Sequence, residues 1–504
     1  MTKRGNEAST IARRRILAGL GAAISTAAMG CGGDGSTNPN GPAGVGGSGG
    51  AGGNGGAGGF GGSGEGGAGT GGAGGSGGGN ADLCQGTTNL TPEELLAPID
   101  TFVILMMENR SFDHCLGSLR LLEGRDVIGL AGTEKNPAPN GTFVDVFKLE
   151  DFTPADPPHD WDACHNQFNG GKNDGFVLAH AGNNQADVMG YHVREQLPIT
   201  YALADAHAVC DHWFASVMGP TWPNRFFLHG ATSKGQKSNL PVFGFKSIFD
   251  VLDDAGISHR VYYHDVAWCS GAYFKTSGLS GIENFFKDAE NGTLPNVVFI
   301  DPHFLGQGAN DDHPDHDIRL GQALIASVYA ALGKSPQWKR CMFILTYDEH
   351  GGFFDHVVPP TTDDDDADFK QLGFRVPGIV AGPFVKTGCT VTTEFEHVSI
   401  LRTLARRFGL PSLNTRMSTA NDLSSCIQPA YFDAPRSAVA LPAVPVPFKQ
   451  IAQRPEVTAT HPEMRAALDQ GLIPPHLDRR AEGLAITKRV LEEGERLGVV
   501  TILP

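Results

Sequence analysis

Residues 99–114 read IDTFVILMMENRSFDH, an apolar run from Phe102 to Met107 that stops at the acid–amide pair Glu108-Asn109. A run this short, apolar at odd and even positions alike, suits a strand buried on both faces, as in a parallel sheet covered by helices. Residues 341–350, CMFILTYDEH, repeat the pattern and end on Asp348-Glu349. A third run, FRVPGIVA, occupies 374–381. Helical spacing appears between them, over 322–332 and over 399–408, where Ile400, Leu401, Leu404 and Phe408 share a side. Alternating strands and helices predict an α/β domain. Ligands of open parallel sheets bind beyond the carboxyl ends of the strands, so the two acidic pairs are expected to meet despite their separation in sequence.

Around this domain the chain changes character. Arg13-Arg14-Arg15 precedes a small-residue apolar stretch ending at Ala28-Met29-Gly30-Cys31. That pattern reads as a twin-arginine signal over 1–31 with Cys31 as the lipidated residue, placing the protein outside the cytoplasm, in the periplasm or at the cell surface, anchored to a membrane surface. Residues 32–80 hold 28 of the 67 glycines. The GxGxxG matches there carry no weight, because no strand precedes and no helix follows them, and the segment to residue 90 reads as a flexible tether. The catalytic domain is expected over 91–430. The remainder, 431–504, is an extension with a Pro/Ala-rich start and a charged helix over 474–498. Setting Cys31 aside leaves eight cysteines, an even number that in an exported protein predicts disulfides of unspecified pairing. A net charge of −16 excludes a nucleic-acid binder that works by phosphate neutralisation.

Polar residues gather in five places: 108–114, 159–176 (His159-Asp160-Trp161, then GGKNDGF), 219–225 (GPTWPNR), 312–314 and 347–356. Singly these are ordinary loop residues or packed histidines. Together, carboxylates at neighbouring strand ends repel one another unless a cation compensates them. Glu108, Asn109, Asp348 and Glu349 offer only oxygen, which suits calcium, magnesium or manganese; zinc or iron also remain open. Thr221 is the candidate nucleophile: Pro223 fits the first turn of a helix, and a phosphate is favoured at such a helix start. The alternative is that Thr221 caps the helix.

The stretches ENRSFDHCLG, HDW…GGKNDGF, GPTWPNRFF, DDHPDHDI, TYDEHGGFFDHVVPP and RVPGIVAGPFVKTG…EHVSILRTLARRFGLP, in this order, resemble the bacterial phosphoesterase family of phospholipases C and acid phosphatases. The resemblance implies an alkaline-phosphatase-like three-layer α/β fold with a mostly parallel central sheet. It implies one divalent metal ion held by Glu108, Asn109, Asp348, Glu349 and Thr221, and a phosphothreonine intermediate on Thr221. His159, Asn224 and His313 would contact phosphoryl oxygens or deliver a proton, and His264 would join them. The threonine resembles the phospholipase branch, so phosphatidylcholine-type lipids are the first expectation. Trp161, Trp222 and Trp268 are then candidates for a choline face. An acid phosphatase or general phosphodiesterase acting on small phosphate esters is the alternative, and a ligand-binding surface lipoprotein without catalysis is the reading of another class. Cys115-Leu116 and Ala381-Gly382-Pro383 depart from the family pattern.

Overall fold

The computed structural model describes Cys84 and residues 88–504, apart from 181, 183 and 456–459. The expected signal, Cys31 and nearly all of the tether lie outside the described residues. Eight strands form the central sheet: β1 (Thr101–Met107), β2 (Ala208–Cys210), β3 (His259–Tyr263), β4 (Leu279–Gly281), β5 (Val297–Asp301), β6 (Cys341–Tyr347), β7 (Gly378–Ala381) and β8 (Thr390–Val391), in the order β8-β2-β7-β6-β1-β5-β3-β4. Every neighbouring pair is parallel except the two that involve β7.

β1 and β6 lie side by side at the centre, and every residue of both is buried. Their continuous apolar composition follows from that double coverage. Register then does the decisive work. Met107 stands opposite Tyr347, so the next residues, Glu108 and Asp348, leave the sheet together at its carboxyl edge. The run over 374–381 is shorter than expected as a strand. It begins at Gly378, because Pro377 has no N–H for a ladder bond. Its first residues do other work: Arg375 is fully buried among acidic groups.

The main helices are α1 (Phe112–Leu116), α2 (Trp161–Phe168), α3 (Pro198–Ala206), α4 (Thr221–Gly230), α5 (Ile282–Asn291), α6 (Ile318–Lys334), α7 (His397–Phe408), α8 (Pro462–Asp469) and α9 (Gly483–Leu497). Among the described residues none is long and apolar enough to cross a membrane. The helix expected over 474–498 proves to be two short 3₁₀ turns followed by α9. The extension also carries a small parallel pair, β9 (Val444–Val446) and β10 (Val500–Ile502). Its Ile486, Val490 and Leu491 belong to the same hydrophobic core as the central sheet. Gly494 makes that docking feasible: a Cβ there would stand 2.4 Å from Ser327 Oγ on α6.

One disulfide, Cys84–Cys389, closes a separation of 305 residues. The other six cysteines of the described residues, Cys115, Cys164, Cys210, Cys269, Cys341 and Cys426, are buried free thiols, so the even count overstates the cross-linking.

Candidate active site

Glu108 and Asp348 are brought together by register, and Asn109 by a local turn. Asn109 takes φ 59°, a left-handed conformation that asparagine tolerates better than most residues. Its N–H donates to Asp348 Oδ1 at 2.8 Å, and Glu349 N–H reaches the same oxygen at 2.8 Å. Gly351 N–H donates to Glu349 Oε2 at 2.7 Å. Only glycine fits there, since φ is +65° and a Cβ would stand 2.0 Å from the Asn109 carbonyl oxygen.

Thr221 enters as the first residue of α4, with Pro220 as the residue before the helix. It does not serve as the cap. Its Oγ lies 3.3 Å from Glu108 Oε2 and 3.4 Å from Asn109 Oδ1, and the residue is 2% exposed. One hydroxyl hydrogen serves only one of these oxygens. Two further oxygens nearby in the chain, Asp348 Oδ2 and Glu349 Oε1, are buried with no hydrogen-bond partner. Buried carboxylate oxygens are normally paired. The donor chemistry, oxygen only with two carboxylate oxygens that accept no hydrogen bond, is the kind a hard divalent ion takes.

Electrostatics agree with that deficit. Burial pushes Glu108 well above the usual carboxylate range, with Asp348 and Asp311 adding to it and Arg225 opposing. Burial, with Glu349 next, lifts Asp348 to about 6. Burial lifts Glu349 to about 7 against the pull of His159. Arg225 is the protein's own counter-charge. It sits one turn after Thr221 on α4, where i and i+4 share a face, and donates through Nε to Glu108 Oε1 at 2.7 Å. It thereby occupies one oxygen of Glu108 and leaves the other to Thr221.

His159 stands beside this group: Nε2 is 3.2 Å from Asn109 Nδ2 and 3.8 Å from Glu349 Oε1, while Nδ1 meets the Pro157 carbonyl at 2.7 Å. Burial alone would lower it, but Glu349 and Asp156, with the Pro157 carbonyl and Asp348, together raise it to about 9. His313 packs edge-on to His159 with ring centroids 5.8 Å apart, and Asp156, His159 and His313 each place one ligand atom within 4.8 Å of the others. Burial, then His461, holds His313 well below the ordinary histidine value.

Two expected contacts lie elsewhere. Asn224 Oδ1 accepts from Val217 N–H at 2.8 Å, and its amide donates to the carbonyls of Val217, Gly219 and Pro220. With its polar atoms spent on the loop before Thr221, Asn224 shapes the nucleophile's turn rather than the phosphoryl pocket. His264 uses Nδ1 on the Asp301 carbonyl at 3.0 Å and Nε2 on Asn310 at 3.2 Å, and burial pushes it down to about 3. Neither ring nitrogen is left for a substrate.

Beside Pro220 opens a hollow of about 410 Å³ lined by Asp160, Trp161, Asp162, Lys237, Ser238, Asn239 and Glu463. Trp161 stacks on His165 at 4.5 Å and carries Lys237 over its ring at 4.5 Å. Trp222 and Trp268 are core residues, packed edge-on at 6.0 Å. None of the three presents the open choline face expected of it. Sequence reasoning gave no part to Arg225, Asp311, His316, His461 or Glu463. The spacing Thr221-x-x-x-Arg225 on a helix is a signal for Arg225, and the stretch DDHPDHDI contains Asp311 and His316; His461 and Glu463 lie in no such motif.

Non-specific phospholipase C6 of Arabidopsis thaliana is 37% identical to this chain over 360 residues, 63% of this chain and 69% of that protein. Phospholipase C B of Mycobacterium tuberculosis is 31% identical over 411 residues, 66% of this chain and 78% of that protein. A solved phosphonate monoester hydrolase of Agrobacterium radiobacter aligns over 67% of this chain and 79% of its own at 11% identity with a TM-score of 0.34, too distant to carry an argument. Residues 99–411 match the model of the phosphoesterase family, more than half of the chain and all five groups of site motifs; the chain belongs to the phosphoesterase family.

Proposed function

We propose that this phosphoric ester hydrolase works through Thr221 as a covalent nucleophile, with phospholipids as its first substrate class. The observation that carries the reading is Thr221 Oγ beside Glu108 Oε2 and Asn109 Oδ1, next to a strand end where Asp348 Oδ2 and Glu349 Oε1 are buried without a hydrogen bond. These four and the threonine oxygen are the groups that would hold a divalent ion. When bound, such an ion offsets the carboxylate charge and acidifies a hydroxyl in its shell.

The chain's own groups do the rest. Thr221 Oγ bonds phosphorus while the ester bond to the alcohol breaks, giving phosphothreonine and the free alcohol. A proton must reach the departing oxygen, and water must later lose one as it attacks phosphorus and frees the threonine. His159, which touches Asn109, and the adjacent His313 are the imidazoles for those transfers. The start of α4 favours the phosphoryl charge.

Relatives named phospholipase C support a lipid diester as substrate. Phosphatidylcholine is the first expectation. The acidic side chains of the hollow, Asp160, Asp162 and Glu463, suit a cationic head group better than the occupied tryptophans do. A phosphatase acting on small monoesters is the second reading. Export and lipid attachment at Cys31 belong to the same proposal, and Cys31→Ala should move the protein from the membrane fraction to the soluble one. The test of the whole is to supply phosphatidylcholine and 4-nitrophenyl phosphate to one preparation and measure phosphocholine, inorganic phosphate and metal content. Phosphocholine release with about one divalent ion per chain is expected; inorganic phosphate alone would favour the monoester reading.

A further inference from the structure

The C-terminal extension lies beyond the family match, which ends at residue 411. Yet it reaches Asp311 and His313. His461 precedes α8 in a left-handed conformation, φ 48°, and its side chain is 8% exposed. Nε2 lies 3.1 Å from Asp311 Oδ2, and the ring packs against His313 with centroids 4.9 Å apart. Asp311 is fully buried and holds the surrounding pieces. Its Oδ1 accepts from His316 at 2.6 Å and from the backbone N–H of His313 at 3.1 Å, and its carbonyl accepts from Glu108 N–H at 2.7 Å. Thr460, also of the extension, reaches His316 Nε2 at 3.4 Å. A carboxylate only accepts, so His461 donates through Nε2. Without that donor Asp311 keeps one oxygen unpaired in the interior, and His313 loses one wall of its ring.

We propose that His461 is a positioning residue for the reaction, fixing the His313 imidazole through Asp311 and through ring contact, so that the extension completes the active site. The proposal rests on the reading of His313 as a proton-transfer group given above. Proton transfer matters most when the departing alcohol is a poor leaving group, and contributes roughly 10²–10⁴-fold. A displaced imidazole should therefore hurt alkyl esters more than nitrophenyl esters. A change that only loosens the fold would hurt both alike.

The experiment uses the full chain and two phosphodiesters, dihexanoyl phosphatidylcholine and 4-nitrophenyl phosphorylcholine. His461→Phe keeps a ring and removes the donor; His461→Gln keeps a donor. We expect His461→Phe to lower kcat on the dihexanoyl lipid by about tenfold, a fraction of the full proton-transfer term, with less than about threefold loss on the nitrophenyl ester and little change in KM. His461→Gln should recover most of the loss. Should His461→Phe not fold, His461→Ala is read the same way. Equal losses on both substrates, no loss on either, or failure of His461→Gln to differ from His461→Phe would overturn the proposal. Wild-type enzyme inactive on both would instead overturn the phosphodiesterase reading, and the proposal with it.

Discussion

Two sets of buried carboxylates leave the same two sequence motifs and meet different fates. Asp113 and Asp355 lie a few residues past Glu108 and Asp348. Their four oxygens are all paired: Asp113 with Arg375 at 3.1 Å and with the N–H and ring of His356 at 2.8 and 2.6 Å, and Asp355 with Arg375 at 2.9 and 3.1 Å and with the N–H groups of Val357 and Asp113. Arg375 spends its remaining donor atom on the carbonyls of Ile128 and Asp211. Asp113, Asp355 and His356 have the spacing of a metal site, but a guanidinium already fills it. At the other set, Arg225 satisfies one oxygen of Glu108, while Asp348 Oδ2 and Glu349 Oε1 accept no hydrogen bond and Glu349 Oε1 has only the His159 ring at 3.8 Å. Buried acid alone therefore does not mark a ligand site. The mark is acid whose hydrogen-bond accounting does not close.

That contrast breaks most visibly at Arg375. Arg375→Met should cost about 3–5 kcal/mol of stability, because removing one partner strands buried charge. Metal content and kcat of the molecules that remain folded should change little. Chemical denaturation with metal analysis of the folded fraction checks this, and metal loss in proportion to the substitution would merge the two sets into one.

At the catalytic set the prediction reverses. Asp348→Asn or Glu108→Gln should lower bound metal and activity together, activity by about 100-fold or more, since loss of an outer-shell partner alone costs 10–100-fold. That is about 2.7 kcal/mol of barrier. Stability of the metal-free protein should hold or rise for Asp348→Asn, because burial, with Glu349 next, already disfavours the charged form there, whereas Glu108→Gln should lower it by leaving Arg225 buried without its counter-charge. Full metal occupancy with normal turnover would remove these residues from the ligand set.

Smaller effects sharpen the comparison. Asn224→Ala leaves Val217 N–H and three carbonyls short of partners, and should destabilise by about 1–3 kcal/mol while raising KM less than it lowers kcat. The least effect concerns pH. Burial would lower His356, but its bond to Asp113 raises it overall. A histidine raised on folding adds stability that is complete below its unfolded value, near 6.5, and fades as pH climbs through the folded value. Stability of wild type should thus decline as pH rises above about 6.5 by an increment that His356→Gln lacks. Identical pH profiles would show that the pair with Asp113 contributes nothing.

Much of this arrangement was legible in the residues. Continuous apolar runs ending in acid gave the parallel strands and the edge at which Glu108, Asn109, Asp348 and Glu349 meet. What stayed hidden was pairing across large separations. Nothing in ENRSFDH tells Glu108 from Asp113, because the distinction lies in Arg225 and Arg375, 117 and 262 positions away from their partners. His264 and Asn224 entered as site residues through the family resemblance, which carries over residue type and position but not which polar atoms the surrounding backbone and side chains have already taken. His461 was invisible for the opposite reason: its stretch carries no motif, and only the packing of α8 against residues 268–272, where Met464 meets Gly271, sets it beside Asp311.

The central claim is that Thr221 is the group phosphorus bonds. Wild-type enzyme and Thr221→Ala should be acid-quenched during turnover of dihexanoyl phosphatidylcholine, digested, and analysed for a phosphoryl adduct on the peptide that begins α4. The account predicts a phosphate on Thr221 in the wild type, none in Thr221→Ala together with loss of turnover, and partial activity with phosphoserine in Thr221→Ser, whose hydroxyl lacks the methyl group that restricts χ1. Near-normal turnover by Thr221→Ala, with no adduct in the wild type, would contradict it.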